Sequence, residues 1–406
     1  MCSKGPLTGI RVIEIAHHMA GPSATQKLGD LGADIIKIEP PGLGEWTRTR
    51  PIGDAWVGEF NTSLIALNRN KRSLTLNLKS IEGKQIFDKL IRSADVVVSN
   101  FRPTVHKKLG TDYESIKKIN SKIIYCSITG FGEDGPYETR PGQDLIVQSL
   151  SGVVWNSGRK SDPPIPLGTF VVDAATGNLA LAGITSALYA REKMGEGQKI
   201  EVNLLSSIMD VQIQEFTTYL NTGKLPERSE ELMAHPFINS PYGIHRTKDG
   251  YIALAMTPYD KLAEALECDE LSQFRKWEDG QIFRDEIFRI VADVLVRKTT
   301  KEWIEQLDFH DVWCGPVQNY EQVAMDPQIK HNGTIQSINH PSYGELKFVA
   351  NPIKFSDTPV SYRLAPPELG EHNVEILREL GLTDEQISNL KQNSVIQNEQ
   401  PKTFKI

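Results

Sequence analysis

Short apolar strand patterns that alternate with helical segments constrain the fold of this 406-residue chain more than any other feature. Residues 11–16 form the first pattern, and residues 33–39 repeat it after a segment of small and apolar residues at 23–31. Residues 94–99 and 122–129 give two more. Because a crossover helix between consecutive strands makes those strands parallel, the sequence predicts an α/β protein with a mostly parallel sheet.

The loops after these strands are the predicted ligand site, because ligands of open α/β sheets bind beyond the carboxyl ends of the strands. No G-x-G-x-x-G sequence follows the first strand, which argues against a dinucleotide site. A polar, irregular stretch at 226–241 is followed by a strand pattern and amphipathic helices, which together predict a smaller second domain. The predicted divisions are 1–224, 225–314 and 315–406.

Composition narrows the class of protein and its partners. Hydrophobic residues make up 39% and charged residues 24%, values typical of a globular chain, and the net charge of −7 gives no general attraction to nucleic acid or to an anionic membrane. The start of the chain lacks an apolar leader pattern and no later run is expected to span a membrane, so the cytosol is the expected location and an organellar matrix the alternative. Four separated cysteines predict neither disulfides nor a metal site: Cys2, Cys126, Cys268 and Cys314.

One acid stands out in the segment 167–178. Asp173 follows an apolar run and precedes a helix of small residues. Aspartate is a favoured N-cap residue, and its carboxylate is also able to act as a nucleophile. The residues alone favour the cap and leave the nucleophile open.

Six segments, in order along nearly the whole chain, resemble the family III CoA-transferases. They include the run around Asp173 and a glycine turn some twenty residues later. The matching segments are 28–42, 70–79, 171–177, 193–198, 314–317 and 369–372.

The resemblance implies a Rossmann-like large domain that binds CoA within 1–224, a small domain at 225–314, and a segment at 315–406 that returns to the large domain. It also implies that two chains interlock as a homodimer. The implied substrates are an acyl-CoA thioester and a carboxylic acid, with no permanently bound cofactor or metal.

The resemblance further implies that Asp173 is the catalytic nucleophile. An aspartate with an ordinary pKa of about 3.9 is ionised at neutral pH and is able to attack an acyl-CoA carbonyl. The implied intermediates are an aspartyl anhydride and an aspartyl-CoA thioester. Backbone N–H groups at the helix start after Asp173 and in small-domain loops are the expected donors to the oxyanions.

Several residues match family positions that contact CoA, and each also has a structural interpretation. Lys71, Arg72 and Lys108 are expected as solvated charges, Leu76 as a core residue and His17 as a loop histidine. The implied CoA contacts are His17, Ala20, Leu76, Lys79, Asn100, Phe101 and Lys108.

The acid-binding part of the site is less defined by the sequence. Met19, Gln143 and Arg140 are the candidate pocket residues; Gln143 would bind either a substrate carboxylate or a loop backbone. Met19 and Pro40 depart from the formyl-CoA transferase pattern, and 233–242 lacks that enzyme's glycine-rich lid.

By analogy the sequence favours a donor such as succinyl-CoA and a dicarboxylic acceptor. Candidate clamps for its distal carboxylate are Arg48, Arg69, Arg102, Arg140 and Arg246.

Two rival functions stay open. The α-methylacyl-CoA racemases of the same superfamily use a histidine in a Gly-His-Asp tripeptide, where this chain has Gly142, Gln143 and Asp144, and an amide does not shuttle protons at neutral pH. The second rival is a catalytically silent CoA-binding protein, which the presence of Asp173 disfavours. Asp144 is predicted to be a structural cap and Cys314 a buried thiol.

Overall fold

The structure is a computed structural model that describes residues 5–397, so Cys2 and the end of the predicted segment 315–406 lie outside the described range. The strands are β1 (Arg11–Ile15), β2 (Asp34–Glu39), β3 (Trp56–Val57), β4 (Phe60–Asn61), β5 (Lys71–Thr75), β6 (Val96–Ser99), β7 (Ile124–Thr129), β8 (Lys199–Asn203), β9 (Gly243–Arg246), β10 (Tyr251–Leu254), β11 (Cys314–Pro316), β12 (Ile335–His340) and β13 (Gly344–Val349).

The α-helices are α1 (Ala20–Asp30), α2 (Thr62–Leu67), α3 (Ile81–Ser93), α4 (Pro103–Leu109), α5 (Tyr113–Ile119), α6 (Asp144–Ser151), α7 (Val171–Met194), α8 (Leu204–Val211), α9 (Ile213–Thr222), α10 (Tyr259–Leu266), α11 (Asp279–Ile282), α12 (Arg284–Leu295), α13 (Thr300–Phe309), α14 (Tyr320–Met325), α15 (Pro327–Asn332), α16 (Asn373–Glu379) and α17 (Asp384–Gln392). A short 3₁₀ helix covers Trp46–Arg48.

The chain forms two compact units. Among the described residues, the first unit comprises 5–147, 170–207 and 327–397, and the second comprises Gln148–Thr169 and Ile208–Asp326. The second unit contains the predicted small domain, 225–314, and extends beyond it at both ends. Its separate segment, Gln148–Thr169, joins it through contacts between residues distant in sequence, which hydrophobic periodicity does not reveal.

The first unit is built on a six-stranded parallel sheet in the order β5-β2-β1-β6-β7-β8. This confirms the predicted α/β class, and the apolar runs predicted as strands are buried on both faces. The chain runs outward from β1 through β2 to β5, then returns to β6 beside β1 and runs outward in the opposite direction. Strand order therefore reverses between β1 and β6, which is where open α/β sheets bind ligands.

Helix α3 shows how local sequence sets this layer. Ser80 caps its first turn by accepting a hydrogen bond from Gly83 N (3.0 Å), and Phe87 and Leu90 are fully buried in the core beside the sheet. Helices α16 and α17 add Leu377 and Ile387 to the same core.

Helix α7 is apolar along most of its 24 residues and is, among the described residues, the one helix with the length and hydropathy to cross a membrane. The expectation that no run approaches a membrane span is therefore wrong with respect to the length and hydropathy of α7. Ala180, Ile184 and five other residues of α7 are nevertheless buried in the first unit, and a side chain at Gly177 would collide with Ser23 Oγ of α1 at 2.2 Å. Gly177 therefore allows α1 and α7 to pack closely.

The second unit has its own small sheet and core. Strands β11, β10 and β9 form an antiparallel sheet, and α10, α12 and α13 pack around Trp303, whose Nε1 donates to Leu295 O (2.7 Å). Helix α13 begins with a capping box of Thr299 and Glu302.

Candidate active site

A cavity of about 990 Å³ lies in the first unit at the carboxyl edge of the parallel sheet. Its walls come from the loops after β1, β2, β6 and β7 and from the start of α7. Among the residues predicted from sequence, those that line it are His17, Met19, Ala20, Asn100, Phe101, Arg140, Gln143 and Asp173.

Three other predicted residues do not line the cavity. Leu76 is 2% exposed and packs in the core, while Lys79 and Lys108 are exposed. Residues of the wall that the sequence did not indicate include His18, Trp46, Arg50 and Glu138. Within residues 5–397, no group of three or more metal-ligating side chains is arranged to hold a metal ion.

Asp173 occupies the first turn of α7 but does not cap it. The helix begins at Val171, two residues earlier than the predicted start, and the cap comes from Asp144. Asp144 Oδ2 accepts hydrogen bonds from Val172 N (2.9 Å) and Asp173 N (3.0 Å). The predicted capping role of Asp144 is confirmed, and the interpretation of Asp173 as an N-cap is wrong.

The same bonds change the expected oxyanion donors. The N–H groups of Val172 and Asp173 bind Asp144, and the N–H of Ala174 donates to Phe170 O (3.1 Å). Of these three groups only Ala174 N follows Asp173, and it already has an acceptor inside the protein, so the expectation is wrong for Ala174. Donors from the small-domain loops stay a prediction.

The carboxyl group of Asp173 is half-buried, and this alters its acidity. Burial raises the pKa of Asp173, the negative charge of Asp144 raises it further, and the pKa reaches about 6. The ordinary pKa assumed from sequence is therefore too low. At pH 7 about nine tenths of the group is still ionised, so it remains available as a nucleophile.

Two glycines bring the cap into position. A Cβ on Gly142 would lie 2.4 Å from the Cα of Gly130, and a Cβ on Gly130 would lie 2.7 Å from the Cα of Gly142. The loop after β7 and the segment leading to Asp144 thus touch backbone to backbone, and no side chain larger than hydrogen fits without a shift.

Hydrogen bonds join the loops after β1 and β6 at the switch point, the position where the strand order of the sheet reverses. His17 N donates to Asn100 Oδ1 (2.9 Å) and Asn100 Nδ2 donates to His17 O (2.7 Å), while the His17 ring meets Phe101 edge-on at 5.1 Å between centroids. Burial lowers the pKa of His17, and Lys37 adds to this, so the imidazole is neutral at pH 7. Its Nε2 is buried and has no hydrogen-bond partner among the described residues, so it is available to a ligand.

A buried network of charges supports the loop after β1. Lys37 Nζ contacts Glu14 (2.6 Å) and Glu45 (3.3 Å), Lys71 Nζ contacts Glu14 (2.8 Å), and Glu45 Oε2 accepts from His18 N (3.0 Å). Burial alone would raise the pKa of Glu14, but the ammonium groups of Lys37 and Lys71 hold it below its usual range. The network therefore fixes the backbone that carries His17 and His18.

Two residues expected as solvated charges are in fact buried. Lys71 is fully buried in this network, and Arg72 is 8% exposed and binds Asp34 (2.7 Å) and Glu379 (2.6 Å). The expectation failed because the acidic partners lie on other strands of the sheet and on α16, far away in sequence.

The arginines divide into paired and unpaired groups. Arg48 binds Glu39 through two bonds (2.6 and 2.7 Å) and Arg69 binds Asp30 through two bonds (2.9 and 2.6 Å), so both are committed inside the protein. Arg246 belongs to β9 of the second unit. Three arginines line the cavity without an ion-pair partner among residues 5–397, namely Arg50, Arg102 and Arg140.

The fold and the cavity define a class: an α/β protein with a half-buried carboxylate facing a large pocket that also has arginine side chains able to bind an anionic ligand. Residues 7–373 match the family model of CoA-transferase family III, and the chain belongs to that family. It is thus an acyl-CoA:carboxylate CoA-transferase, and CoA thioesters are its substrates.

Known proteins similar to the chain extend over most of its length. A succinate–glutarate CoA-transferase from Agrobacterium fabrum is 35% identical over 387 residues, covering 93% of this chain and 96% of that protein. A formyl-CoA:oxalate CoA-transferase from Streptomyces avermitilis is 33% identical over 423 residues, covering 96% and 99%. The crystal structure of a CaiB/BaiF family protein from Brucella suis superposes with a TM-score of 0.82 at 33% identity, covering 93% of this chain and 100% of that one.

Proposed function

We propose that the protein moves CoA from a donor such as succinyl-CoA to a dicarboxylic acid, with Asp173 as the covalent nucleophile. The observation that carries this proposal is the placement of Asp173: its carboxylate faces the cavity from the first turn of α7, and no lysine or arginine forms an ion pair with it among the described residues. The names of similar proteins, which include a succinate–glutarate CoA-transferase, support a dicarboxylic substrate.

The proposed route has four steps and needs no oxidant or metal. An Asp173 oxygen attacks the acyl carbonyl, the C–S bond breaks and CoA thiolate leaves, giving a mixed anhydride. The thiolate attacks Cγ of Asp173, which forms an aspartyl thioester and releases the donor acid. The acceptor carboxylate attacks the same carbon and expels thiolate, giving a second anhydride. Thiolate then attacks the acceptor acyl carbon, which yields the new acyl-CoA and restores the Asp173 carboxylate.

The proposed CoA contacts are those predicted from sequence. His17, Ala20, Asn100 and Phe101 line the cavity at the switch point, and the unpartnered Nε2 of His17 offers one hydrogen bond to the ligand. Lys79 and Lys108 are exposed and able to meet phosphate groups. Leu76 would contribute through its backbone, because its side chain is in the core.

We also propose that the chain forms a homodimer. Helix α9 has no buried residue, yet it carries the apolar side chains Ile213, Phe216 and Leu220, and α7 exposes Tyr189 and Met194. Apolar surface of this kind is typical of protein interfaces, and a second copy would cover it. Light scattering after gel filtration should give about twice the chain mass of 45.4 kDa. The cytosolic location, with an organellar matrix as the alternative, stays a prediction.

The covalent route is tested by trapping. Succinyl-CoA is mixed with the enzyme, hydroxylamine or borohydride is added, and peptides are mapped by mass spectrometry. We expect the adduct on Asp173 in the unmodified enzyme. In Asp173→Asn we expect both the adduct and the transfer activity to be lost. Asp260→Asn is the matched control, because Asp260 is also an acid in the first turn of a helix but is exposed in the second unit.

Three results would contradict the proposal. Transfer activity that survives Asp173→Asn would exclude the covalent nucleophile. Deuterium exchange at the α-carbon without transfer would indicate a racemase, and CoA binding without transfer or exchange would indicate a silent binding protein.

A further inference from the structure

We infer that Arg50 binds the distal carboxylate of the dicarboxylic substrate and thereby sets the preference for diacids. This inference rests on the proposed function and assigns a role to a residue that the sequence did not indicate.

The first step concerns which cations the cavity offers. Arg50, Arg102 and Arg140 are its three arginines, and none has an ion-pair partner among residues 5–397. A guanidinium group is the side chain that best matches a carboxylate, because two parallel N–H groups meet its two oxygens. A substrate acid that reacts through one carboxylate would leave the other for one of these three groups.

The second step concerns rigidity, because selectivity requires a cation held in place. Arg50 follows the 3₁₀ helix Trp46–Arg48, and its guanidinium lies 5.2 Å from the Trp46 ring centroid. The Trp46 ring in turn contacts the His18 ring at 4.8 Å. This stack places Arg50 beside the loop after β1.

The segment that carries Arg50 is also anchored from inside the protein. Arg48 is 5% exposed and binds Glu39 with two hydrogen bonds, and Asn61 donates to Thr47 O. Glu45, directly before the 3₁₀ helix, contacts Lys37 and His18 N in the buried network. Both ends of the Trp46–Arg48 turn are therefore fixed.

The other two arginines have a different setting. Arg102 begins α4 immediately after Asn100 and Phe101, the proposed CoA contacts, so its position suits a CoA phosphate. Arg140 lies over the Tyr137 ring (4.4 Å) in a stretch that is exposed from residue 134 to residue 143. All three arginines are exposed, so what distinguishes Arg50 from Arg140 is its segment, in which Glu45, Thr47 and Arg48 are buried.

The test uses competition between two acceptors of equal length. Glutarate and pentanoate are supplied together with one donor, succinyl-CoA, and the ratio of glutaryl-CoA to pentanoyl-CoA is measured by mass spectrometry. Both acceptors compete for the same enzyme–CoA intermediate, so any effect of the substitution on the donor step cancels.

We expect Arg50→Leu to lower this ratio by about 10-fold or more, the effect of losing a charge-assisted pair with a carboxylate. Arg50→Lys should restore part of the ratio, because the charge remains but the fork is lost. Arg297→Leu is the matched control and should leave the ratio unchanged, because Arg297 is exposed in the second unit and does not line the cavity. An unchanged ratio in Arg50→Leu, or an equal fall in Arg297→Leu or in Arg140→Leu, would overturn the inference.

Failure of the proposed function gives a separate result. It would appear as no trapped adduct and no transfer to either acceptor in the unmodified enzyme. The role of Arg50 is then decided by calorimetry with free glutarate: weaker binding in Arg50→Leu than in Arg140→Leu supports it, and equal binding overturns it.

Discussion

Replacing Asp144 by asparagine should move the acid limb of the pH–rate profile to lower pH. The pKa of Asp173 is displaced from 3.8 to about 6, with burial as the larger cause and the charge of Asp144 as the second. Since burial accounts for more than half of this displacement of roughly 2 units, removing the Asp144 charge should lower the pKa by up to about 1 unit.

The direction and the size of this shift follow from which protonation form of Asp173 reacts. The ionised carboxylate is the nucleophile, so activity rises as pH rises through the pKa of Asp173. At pH 5 a group of pKa 6 is about 9% ionised and a group of pKa 5 is about 50% ionised, so Asp144→Asn should retain up to about five times more of its maximal rate at pH 5. The other charged or titratable groups lining the cavity are unchanged by this substitution: His17, His18, Arg50, Arg102, Glu138 and Arg140.

The assay is kcat/KM for the acyl-CoA donor between about pH 4.5 and pH 8, which reports groups in the free enzyme. Asparagine keeps an oxygen that accepts from Val172 N and Asp173 N, whereas Asp144→Ala removes the acceptor too. Asp144→Ala should therefore shift the limb equally but also lose about 0.5–2 kcal/mol of stability and part of kcat. An acid limb that stays in place in a folded Asp144→Asn variant would refute the electrostatic role.

Three further predictions follow from the same site. Asp173→Asn should abolish transfer yet raise the melting temperature at pH 7. The folded state holds the Asp173 proton more tightly than the unfolded state, so the free energy of unfolding falls as pH rises from about 4 to 6. Removing the ionisable group should therefore raise the free energy of unfolding at pH 7 by at most about 3 kcal/mol, and by less where solvent screens the charge. Gly142→Ala should cost about 1–3 kcal/mol in denaturant unfolding, because its Cβ would meet Gly130 Cα at 2.4 Å, and an unchanged midpoint would show that the loop yields freely. Asn100→Ala removes both bonds to the His17 backbone and should raise KM for acyl-CoA several-fold more than it lowers kcat; a change in kcat alone would contradict this positioning role.

The sequence predicts the sheet well because each strand is recognisable from its own residues, without knowledge of its partners. The observed β1, β2, β6 and β7 lie within the predicted segments, since runs of apolar β-branched residues bounded by turns have few alternatives. The convergence of His17 and Asn100 was predictable too, because both follow strands that end at the same sheet edge.

Features that depend on distant partners were not predictable. The cap of α7 comes from Asp144, 29 residues before Asp173, so the local sequence suggested the wrong residue. Lys71 has the composition of a surface strand position, and only the folded sheet shows that its partner is Glu14 of β1, two strands away from β5. Arg50 lies in the loop after β2, one of the predicted ligand loops, but this loop has no periodicity that would single out Arg50 among its residues.

The pairing of two acids at the start of α7 has a consequence for the energy of the covalent cycle. Under the proposed route, Asp173 carries a negative charge only in the free enzyme; as an anhydride or a thioester it is neutral. The repulsion from Asp144 therefore raises the free enzyme and is relieved when an acyl group is attached. Asp144, the cap of α7, thus reduces the free-energy difference between the free Asp173 carboxylate and its acylated forms. The covalent intermediates therefore form with a smaller free-energy cost.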